Sequence, residues 1–368
     1  MTITDTDADA AAARAALVKT LVEAGDLTSP GWRAAFEKVP RHLFVPFFFD
    51  HDGSRIAGDD DSTRERWFAA VHEDRALVTH RTGGTATSSS SQPSLMAAML
   101  EALDVADGMS VLEIGAGTGY NAGLLAHRLG DEKVVTIDVA TDITGPAAER
   151  LSAAGFHPRV ITGDGAAGWP GRAPYDRIIA TCRLDHVPPA LVAQLAETGF
   201  ILAPLGSALV RIYRTGPDTA EGRFLPGGAF FMPLRRDGEG GAPARRPTLP
   251  TGPNRPSALP AAAVGDNAYR FLASIVEPGL TWQYDLDVDR QIIGARAWAA
   301  DGSVAALQAD GTVAETGPRR IWTALEDAYR MYATAGSPGP ERYGITVEKA
   351  RQRVWLDPPG GPSWNLSA

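Results

Sequence analysis

The sequence predicts an α/β fold: a doubly wound parallel sheet with helices on both faces, followed by a smaller α+β C-terminal domain. Three observations carry that prediction. From about residue 109 to residue 206, strand-like apolar runs alternate with helical ones, the βαβα pattern that sets parallel strands between layers of helices. The first strand of that series runs into a glycine-punctuated turn, VLEIGAGTGY (residues 111–120), of the kind that opens a ligand-binding helix. Beyond a Pro/Gly-dense stretch at 236–262 the composition changes, and the remainder of the chain holds Trp282, Trp298, Trp322, Trp355 and Trp364. The expected division is a first domain over 1–235, a linker or extended strap over 236–262, and a C-terminal domain over 263–368.

The totals narrow the function. A chain of 368 residues with 44% apolar content can fill a sizeable core. A formal charge of −9 argues against general affinity for nucleic acid or an anionic membrane, since both require a basic face. One cysteine, Cys182, permits no intrachain disulfide and no Cys-based zinc cage, and a reducing, cytoplasmic setting is the simple reading. No run of about eighteen apolar residues is present, and the acidic start MTITDTDADA does not resemble a secretory signal, so a soluble protein is expected. Neither a metal-ligand spacing nor a Ser-His-Asp constellation can be picked out, and no metal is expected.

In chain order, helices are expected over about 11–23 and 31–39, then an exposed charged loop at 50–66 and a strand at 76–80. TSSSSQPSLM (residues 87–96) puts four serines before Pro93, which suits a first helical turn because it has no N–H to leave unpaired. Leu95, Met96, Met99, Leu100 and Leu103 then share one helical face. The alternating region follows: MSVLEIG, a helix over 121–129, KVVTID, a helix over 146–154, PRVITGD, YDRIIATC, a helix over 189–197, and GFILAPLG. ALVRIYR (208–214) and AFFMPLR (229–235) are expected to close the sheet edge as a hairpin. In the C-terminal domain two Asp-Gly pairs in ARAWAADGSVAALQADGTVAE predict a three-stranded meander. RRIWTALEDAYRMYATAG reads as an amphipathic helix stopped by Gly336, and ARQRVWL as a strand.

Gly115, Gly117 and Gly119 stand between a strand and a helix, but their spacing differs from the dinucleotide fingerprint, whose third glycine lies three residues after the second. Glu113 precedes them, Asp138 ends the next strand, and Asp164 with Gly165 ends the one after. Each acid has a plain reading: Glu113 as a helix-terminus partner, Asp138 as a solvated loop acid, Asp164 as an N-cap. Together, at the carboxyl ends of successive strands where open α/β sheets bind ligands, they point to a cofactor. A nicotinamide dehydrogenase fits less well, lacking the glycine spacing and a hydride-transfer acid. E-x-G-x-G-x-G is similar to the motif of S-adenosylmethionine-dependent methyltransferases. That resemblance implies that the glycines admit the amino-acid end of the cofactor, that Asp138 binds the ribose hydroxyls, and that Asp164 and Gly165 lie beside the adenine.

A closer resemblance runs through the first domain. VPRHLFVP, the serine stretch before Pro93, MLEALDVADGMSVLEIGAGTGYNAGLLA, GDGAAGWPGRAPYDRIIATC and PPALVAQL resemble, in order, the blocks of protein-L-isoaspartate O-methyltransferases over roughly residues 30–235. The resemblance implies a Rossmann-like methyltransferase sheet, S-adenosylmethionine as cofactor with S-adenosylhomocysteine as product, and methylation of a peptide carboxyl group. It also implies that Ser91 is the catalytic serine and that Ser89, Ser90 and Gln92 line the acceptor side, with Ser90 and Gln92 replacing the family's hydrophobe and alanine. With that altered pocket and a C-terminal extension, the chain resembles most the branch that acts on ribosomally made, modified peptides of the graspetide and lanthipeptide type. There an aspartate ester forms and cyclises to aspartimide, and the partner is an acidic precursor peptide that can already be crosslinked. General isoaspartyl repair and a non-catalytic cofactor-binding partner are the alternatives.

The chemistry of a carboxylate acceptor fits these residues. A carboxyl group of ordinary pKa is about 99.9% ionised at neutral pH, so its attack on a sulfonium methyl requires no general base. Positioning is the enzyme's task, worth roughly 7–11 kcal/mol, and hydroxyls can hold a carboxylate without adding a charge. Hence the expectation of a polar serine cradle at a helix start, against the plainer one of a flexible tether with Ser91 or Gln92 capping the helix. Arg41, His42, His80 and Arg81 can attract an acidic peptide, although they read more simply as surface cations. Cys182 reads as packing, and His186 can line the pocket but reads more simply as part of a capped loop. The tryptophans read as peptide anchors or, more plainly, as domain core.

Overall fold

The computed structural model describes residues 3–236, 250, 252–348 and 351–366. The chain forms two compact units. One takes Met1–Cys182, Pro188–Ala203 and Met232–Gly241; the other takes Arg183–Val187, Pro204–Phe231 and Ala242–Ala368. Residues 204–231 therefore cluster with the second unit, whereas the sequence reading set its boundary near Arg235.

The first unit opens with helices α1 (Ile3–Ala24), α2 (Pro30–Lys38) and α3 (Arg41–Phe44). Ser29 caps α2, accepting from the Trp32 N–H, and Pro30 occupies the first turn. A four-stranded antiparallel sheet follows, in the order β2-β1-β3-β4, from β1 (Phe47–Phe49), β2 (Arg55–Ala57), β3 (Leu77–Thr82) and β4 (Thr85–Ser90). Helix α4 (Arg64–Val71) packs on it through Trp67, Ala70 and Val71, which join Phe48, Ile56 and Leu77 in one apolar cluster. The stretch 50–66, expected as an exposed loop, thus contains β2 and the start of α4. The serine run is likewise no tether. It is the edge strand β4, joined to β3 through Gly83 and Gly84, both at positive φ (56° and 84°). A two-residue hairpin turn with positive φ at both positions matches the twist of the strands it joins, and Gly-Gly supplies that conformation without strain.

Helix α5 (Pro93–Ala102) leads into the wound sheet, built from β5 (Val111–Ile114), β6 (Val134–Asp138), β7 (Arg159–Thr162), β8 (Tyr175–Ala180) and β9 (Leu195–Leu205). Its order is β9-β8-β5-β6-β7, all parallel. Crossovers through α6 (Tyr120–Leu129) and α7 (Thr141–Ala153) carry the chain outward from β5, after which it returns to β8 on the other side. The sheet is apolar because both faces are covered: every residue of β5 is buried, as are Val134, Val135 and Ile137 of β6. Helix α8 (Pro189–Ala193) is only one turn long, shorter than the expected 189–197, because β9 already begins at Leu195.

In the second unit β10 (Ala208–Arg214) pairs antiparallel with β11 (Thr219–Phe224). Residues 229–235, expected as the hairpin partner of β10, form no such strand; the short turn after Arg214 delivers β11 to that place instead. Within the expected linker, residues 237–249 and 251 lie outside the described residues. The rest of it contains β12 (Arg255–Pro256) and the start of α9 (Ala261–Val264). Helix α10 (Asn267–Val276), capped by Asp266, precedes β13 (Thr281–Leu286), β14 (Ile292–Trp298), β15 (Val304–Leu307) and β16 (Thr312–Thr316). These strands form a sheet in the order β12-β16-β15-β14-β13, so the expected three-stranded meander grows to five strands. Gly302 and Gly311 of the two Asp-Gly pairs turn its hairpins at φ 86° and 78°. Helix α11 (Ile321–Thr334) ends before Gly336 at φ 78°, and β17 (Tyr343–Glu348), β18 (Arg351–Leu356) and β19 (Ser363–Leu366) follow. β17 pairs with β11 and with β18. Trp298, Trp322 and Trp355 are buried, the plainer of the two readings, while Trp282 and Trp364 are half-buried.

Candidate functional site

The point where the chain reverses direction in the wound sheet lies between β5 and β8, and the carboxyl ends of such neighbours leave a crevice. Gly115 follows β5 and Thr181 follows β8, and the Thr181 hydroxyl donates to the Gly115 carbonyl at 2.7 Å. Gly115, Gly117 and Gly119 have φ values of 99°, 52° and 88°, a run of left-handed backbone that only glycine adopts freely. At Gly115 a side chain would also meet Thr181 Oγ1 at 2.9 Å. The loop ends where α6 begins, with Gly119 as its N-cap residue and the Tyr120 N–H donating to Thr118 Oγ1 at 3.3 Å, so a helix start lies at this edge.

Glu113 lies behind the loop. It is 0% exposed, with Oε1 accepting from Asn121 Nδ2 at 2.7 Å and Oε2 from Thr136 Oγ1 at 2.6 Å. Burial pushes its pKa up to about 7, against the pull of those two hydrogen bonds. Both oxygens are thus used to join β5, the first turn of α6 and β6, which is the helix-terminus role the sequence left open. Asp138 points toward the loop: Oδ2 accepts from the Gly117 N–H at 3.2 Å and Oδ1 from the Val139 N–H at 2.9 Å. Arg235 reaches Asp138 Oδ1 at 3.5 Å. Asp164 caps the turn that follows β7, accepting from the Ala166 N–H at 2.9 Å. A side chain at Gly165 would lie 2.6 Å from Ile114 Cγ2 and 3.2 Å from Leu234 Cδ1. Cys182 lies two residues beyond β8, with its thiol pushed far up by desolvation, consistent with a packing role.

The serine strand borders this loop. A methyl group placed on Gly117 would lie 3.5 Å from Ser88 Oγ and 3.6 Å from the Ser89 carbonyl oxygen, ordinary contact distances. In register, Ser90 faces Leu77, Ser89 faces Val78 and Ser88 faces His80, with an irregularity around His80. Ser88 and Ser90 are buried, Ser89 and Ser91 are half-buried, and Gln92 is exposed. Neither Ser91 nor Gln92 caps α5 with its side chain. Asp74 supplies the cap, with Oδ1 accepting from the Ser94 N–H at 2.8 Å and Oδ2 from Gln92 Nε2 at 2.9 Å. The Gln92 amide also donates to Ser94 Oγ at 3.0 Å. Among the described residues the Ser91 hydroxyl has no hydrogen-bond partner, whereas its carbonyl accepts from Arg41 at 3.3 Å.

Arg41, expected as a surface cation, is only 2% exposed. Its segment, VPRHLFVP, carries part of the family resemblance but no local sign of burial. His80 is tied on both sides: Nδ1 lies 2.6 Å from Thr87 Oγ1 and Nε2 lies 3.2 Å from Asp142 Oδ2. Sequence reasoning missed Asp74, Asn121 and Arg235. Asp74 and Arg235 sit far along the chain from the groups they bind, and Asn121 reads as an ordinary helical polar residue.

A wound parallel sheet with a glycine loop at its reversal point, acids at successive strand ends and a polar strand beside the loop defines an α/β enzyme of the methyltransferase type. Comparison with known proteins places it more closely. Residues 61–229 match the family model described as protein-L-isoaspartate(D-aspartate) O-methyltransferase. A protein-L-isoaspartate O-methyltransferase of Thermococcus sibiricus is 34% identical over 225 residues, 59% of this chain and 91% of the relative. A solved structure described as protein-L-isoaspartate O-methyltransferase covers 93% of this chain and 99% of its own, with 23% identity and a TM-score of 0.54. A Plasmodium falciparum structure, described as a putative protein of the same kind in complex with S-adenosyl-L-homocysteine, covers 60% of this chain and 98% of its own at 15% identity and a TM-score of 0.47. The chain belongs to the protein-L-isoaspartate O-methyltransferase family, and with it to the carboxyl O-methyltransferases.

Proposed function

We propose that this protein transfers a methyl group from S-adenosylmethionine to the free carboxylate of L-isoaspartyl residues in polypeptides. The observation that carries this reading is the contact of the serine strand with the glycine loop at Gly117, which sets an acceptor-binding edge beside a cofactor-binding one. The residues fit the cofactor: the left-handed glycines keep the loop free of side chains, and Asp138 offers carboxylate oxygens for ribose hydroxyls. Asp164 and Gly165 flank the place for the adenine, and Glu113 holds the loop from behind. The cofactor supplies a sulfonium-bound methyl group and keeps the electron pair of the broken S–C bond. Ser91, with its unengaged hydroxyl, donates a hydrogen bond to one acceptor oxygen and leaves the other to form the new O–C bond. Ser89 extends the polar wall, Ser90 holds the strand from its buried side through Arg41, and Gln92, anchored on Asp74, fixes the start of α5 beside it. The acceptor arrives ionised, so no histidine has to remove a proton.

A second reading is favoured by Ser90 and Gln92, which replace the hydrophobe and alanine of the family segment: methylation of an aspartate in one acidic, ribosomally made precursor, with later closure to aspartimide. The C-terminal extension supports it less than the sequence suggested, because a solved structure bearing the isoaspartate description covers 93% of this chain, extension included. In that reading the second unit recognises the peptide. The test uses two peptides identical except for isoaspartyl or aspartyl linkage at one position, incubated with S-adenosylmethionine and followed by mass spectrometry. Methyl ester on the isoaspartyl peptide alone supports the first reading. Methylation confined to a dedicated aspartyl precursor, followed by loss of methanol, supports the second, and no ester on any peptide refutes both.

A further inference from the structure

Arg41 carries a positive charge into the interior without an ionised partner. All five of its N–H groups are engaged, four of them with main-chain carbonyls: Nη1 donates to Val71 and Glu73, each at 3.1 Å, and Nη2 to Arg75 at 2.9 Å and Ser91 at 3.3 Å. The fifth, on Nε, donates to Ser90 Oγ at 3.3 Å. Burial lowers its pKa to about 10, which leaves it cationic at neutral pH. Asp74 is the acid that acts on it through space, yet both Asp74 oxygens are occupied at the start of α5. A buried cation bonded only to neutral oxygens is costly to keep, and a side chain with no charge would pack in that space at lower cost.

We propose that Arg41 is the positioning residue for the acceptor carboxylate, acting through Ser90 and Ser91, which rests on the reading of the serine strand as the acceptor edge. Because Nε donates to Ser90 Oγ, the guanidinium pins the buried face of the strand next to Ser91. The same guanidinium fixes the Ser91 carbonyl and hence the backbone that presents the Ser91 hydroxyl. Its field reaches the half-buried edge with little screening, so an anionic acceptor is favoured there over the neutral amide of asparagine. The charge that Asp74 leaves uncompensated in the free protein is compensated when the carboxylate arrives. Arg41 itself does not touch the reacting atoms.

The experiment compares wild type with Arg41→Met and Arg41→Lys, using an isoaspartyl peptide as acceptor, formate as a competing small carboxylate and S-adenosylhomocysteine binding as the control. Expected for Arg41→Met is a fall of about 100-fold in kcat/KM for the peptide, with S-adenosylhomocysteine affinity within about twofold of wild type. Arg41→Lys, which keeps the charge but not the fork, recovers part of the loss. Formate competes with peptide in wild type, and its inhibition constant rises about tenfold or more in Arg41→Met, an effect that a purely structural arginine would not produce. If Arg41→Met does not fold, the same two measurements on Arg41→Lys decide, with a raised formate constant expected. Peptide kinetics within about threefold of wild type in a folded variant, or an unchanged formate constant, overturns the proposal. Ser91→Ala separates the two levels: if it leaves turnover unchanged the reading of the serine strand fails, and if it lowers turnover while the arginine variants do not, only the role of Arg41 fails.

Discussion

Replacing Glu113 by glutamine should make the protein more stable at alkaline pH and leave it unchanged near pH 4.5. The carboxyl group is fully enclosed, and burial raises its pKa from 4.5 to about 7. A raised carboxyl pKa means that the folded state binds the proton more tightly than the unfolded chain. Stability from this group is therefore complete below pH 4.5 and is lost as pH rises through 7. The difference between the two values corresponds to about 3 kcal/mol at 1.36 kcal/mol per unit. Glutamine keeps the shape, still accepts from Thr136 Oγ1, and can donate to Asn121 Oδ1, a buried oxygen without a partner, once the Asn121 amide turns over. Urea unfolding followed by tryptophan fluorescence at pH 5, 6, 7 and 8 would read the effect as a growing advantage for Glu113→Gln. A difference between variant and wild type that stays constant over this range, or a variant less stable at pH 8, would refute the reasoning.

Ser91→Ala should lower methyl transfer by at least about tenfold while S-adenosylhomocysteine binding, measured by calorimetry, stays within about twofold. Asp138→Asn should do the reverse, weakening cofactor binding if, as proposed, the carboxylate that accepts from the Gly117 N–H also takes the ribose hydroxyls. Gly165→Ala places a methyl 2.6 Å from Ile114 Cγ2, so about 1–3 kcal/mol of stability should be lost together with cofactor affinity, both visible in a thermal melt with and without ligand. Truncation at residue 263 should fail to yield a soluble protein, because it strips β17 from β11 within one compact unit. Trp282→Ala is therefore the better probe of peptide recognition by that unit, and an unaltered peptide KM would speak against such a role.

The order of strands and helices, the glycine loop and the three acids were legible in the sequence because each leaves a local mark. Apolar runs of strand length alternate with helical spacing, and only glycine tolerates φ values of 99°, 52° and 88° in so short a loop. The Asp-Gly hairpins and the helix before Gly336 were legible for the same reason. That the serine run forms a strand was not legible, because its composition resembles a linker and the cue for the strand, Gly83–Gly84, lies several residues upstream. The shift from a strand at 229–235 to β11 escaped notice because β11 carries polar residues at alternate positions and reads as a loop.

What the sequence determined by itself was chemistry by type: carboxylates at strand ends, hydroxyls before a proline, glycines where a ligand approaches. Tertiary structure decided which of these groups are free. Glu113 and Asn121 are eight residues apart and Arg41 and Ser90 forty-nine, yet each pair meets inside the fold. The physical reason is that a charge or a hydroxyl acquires its role from burial and from partners brought by other segments. Those quantities set its proton affinity and its free lone pairs, and no local pattern encodes them.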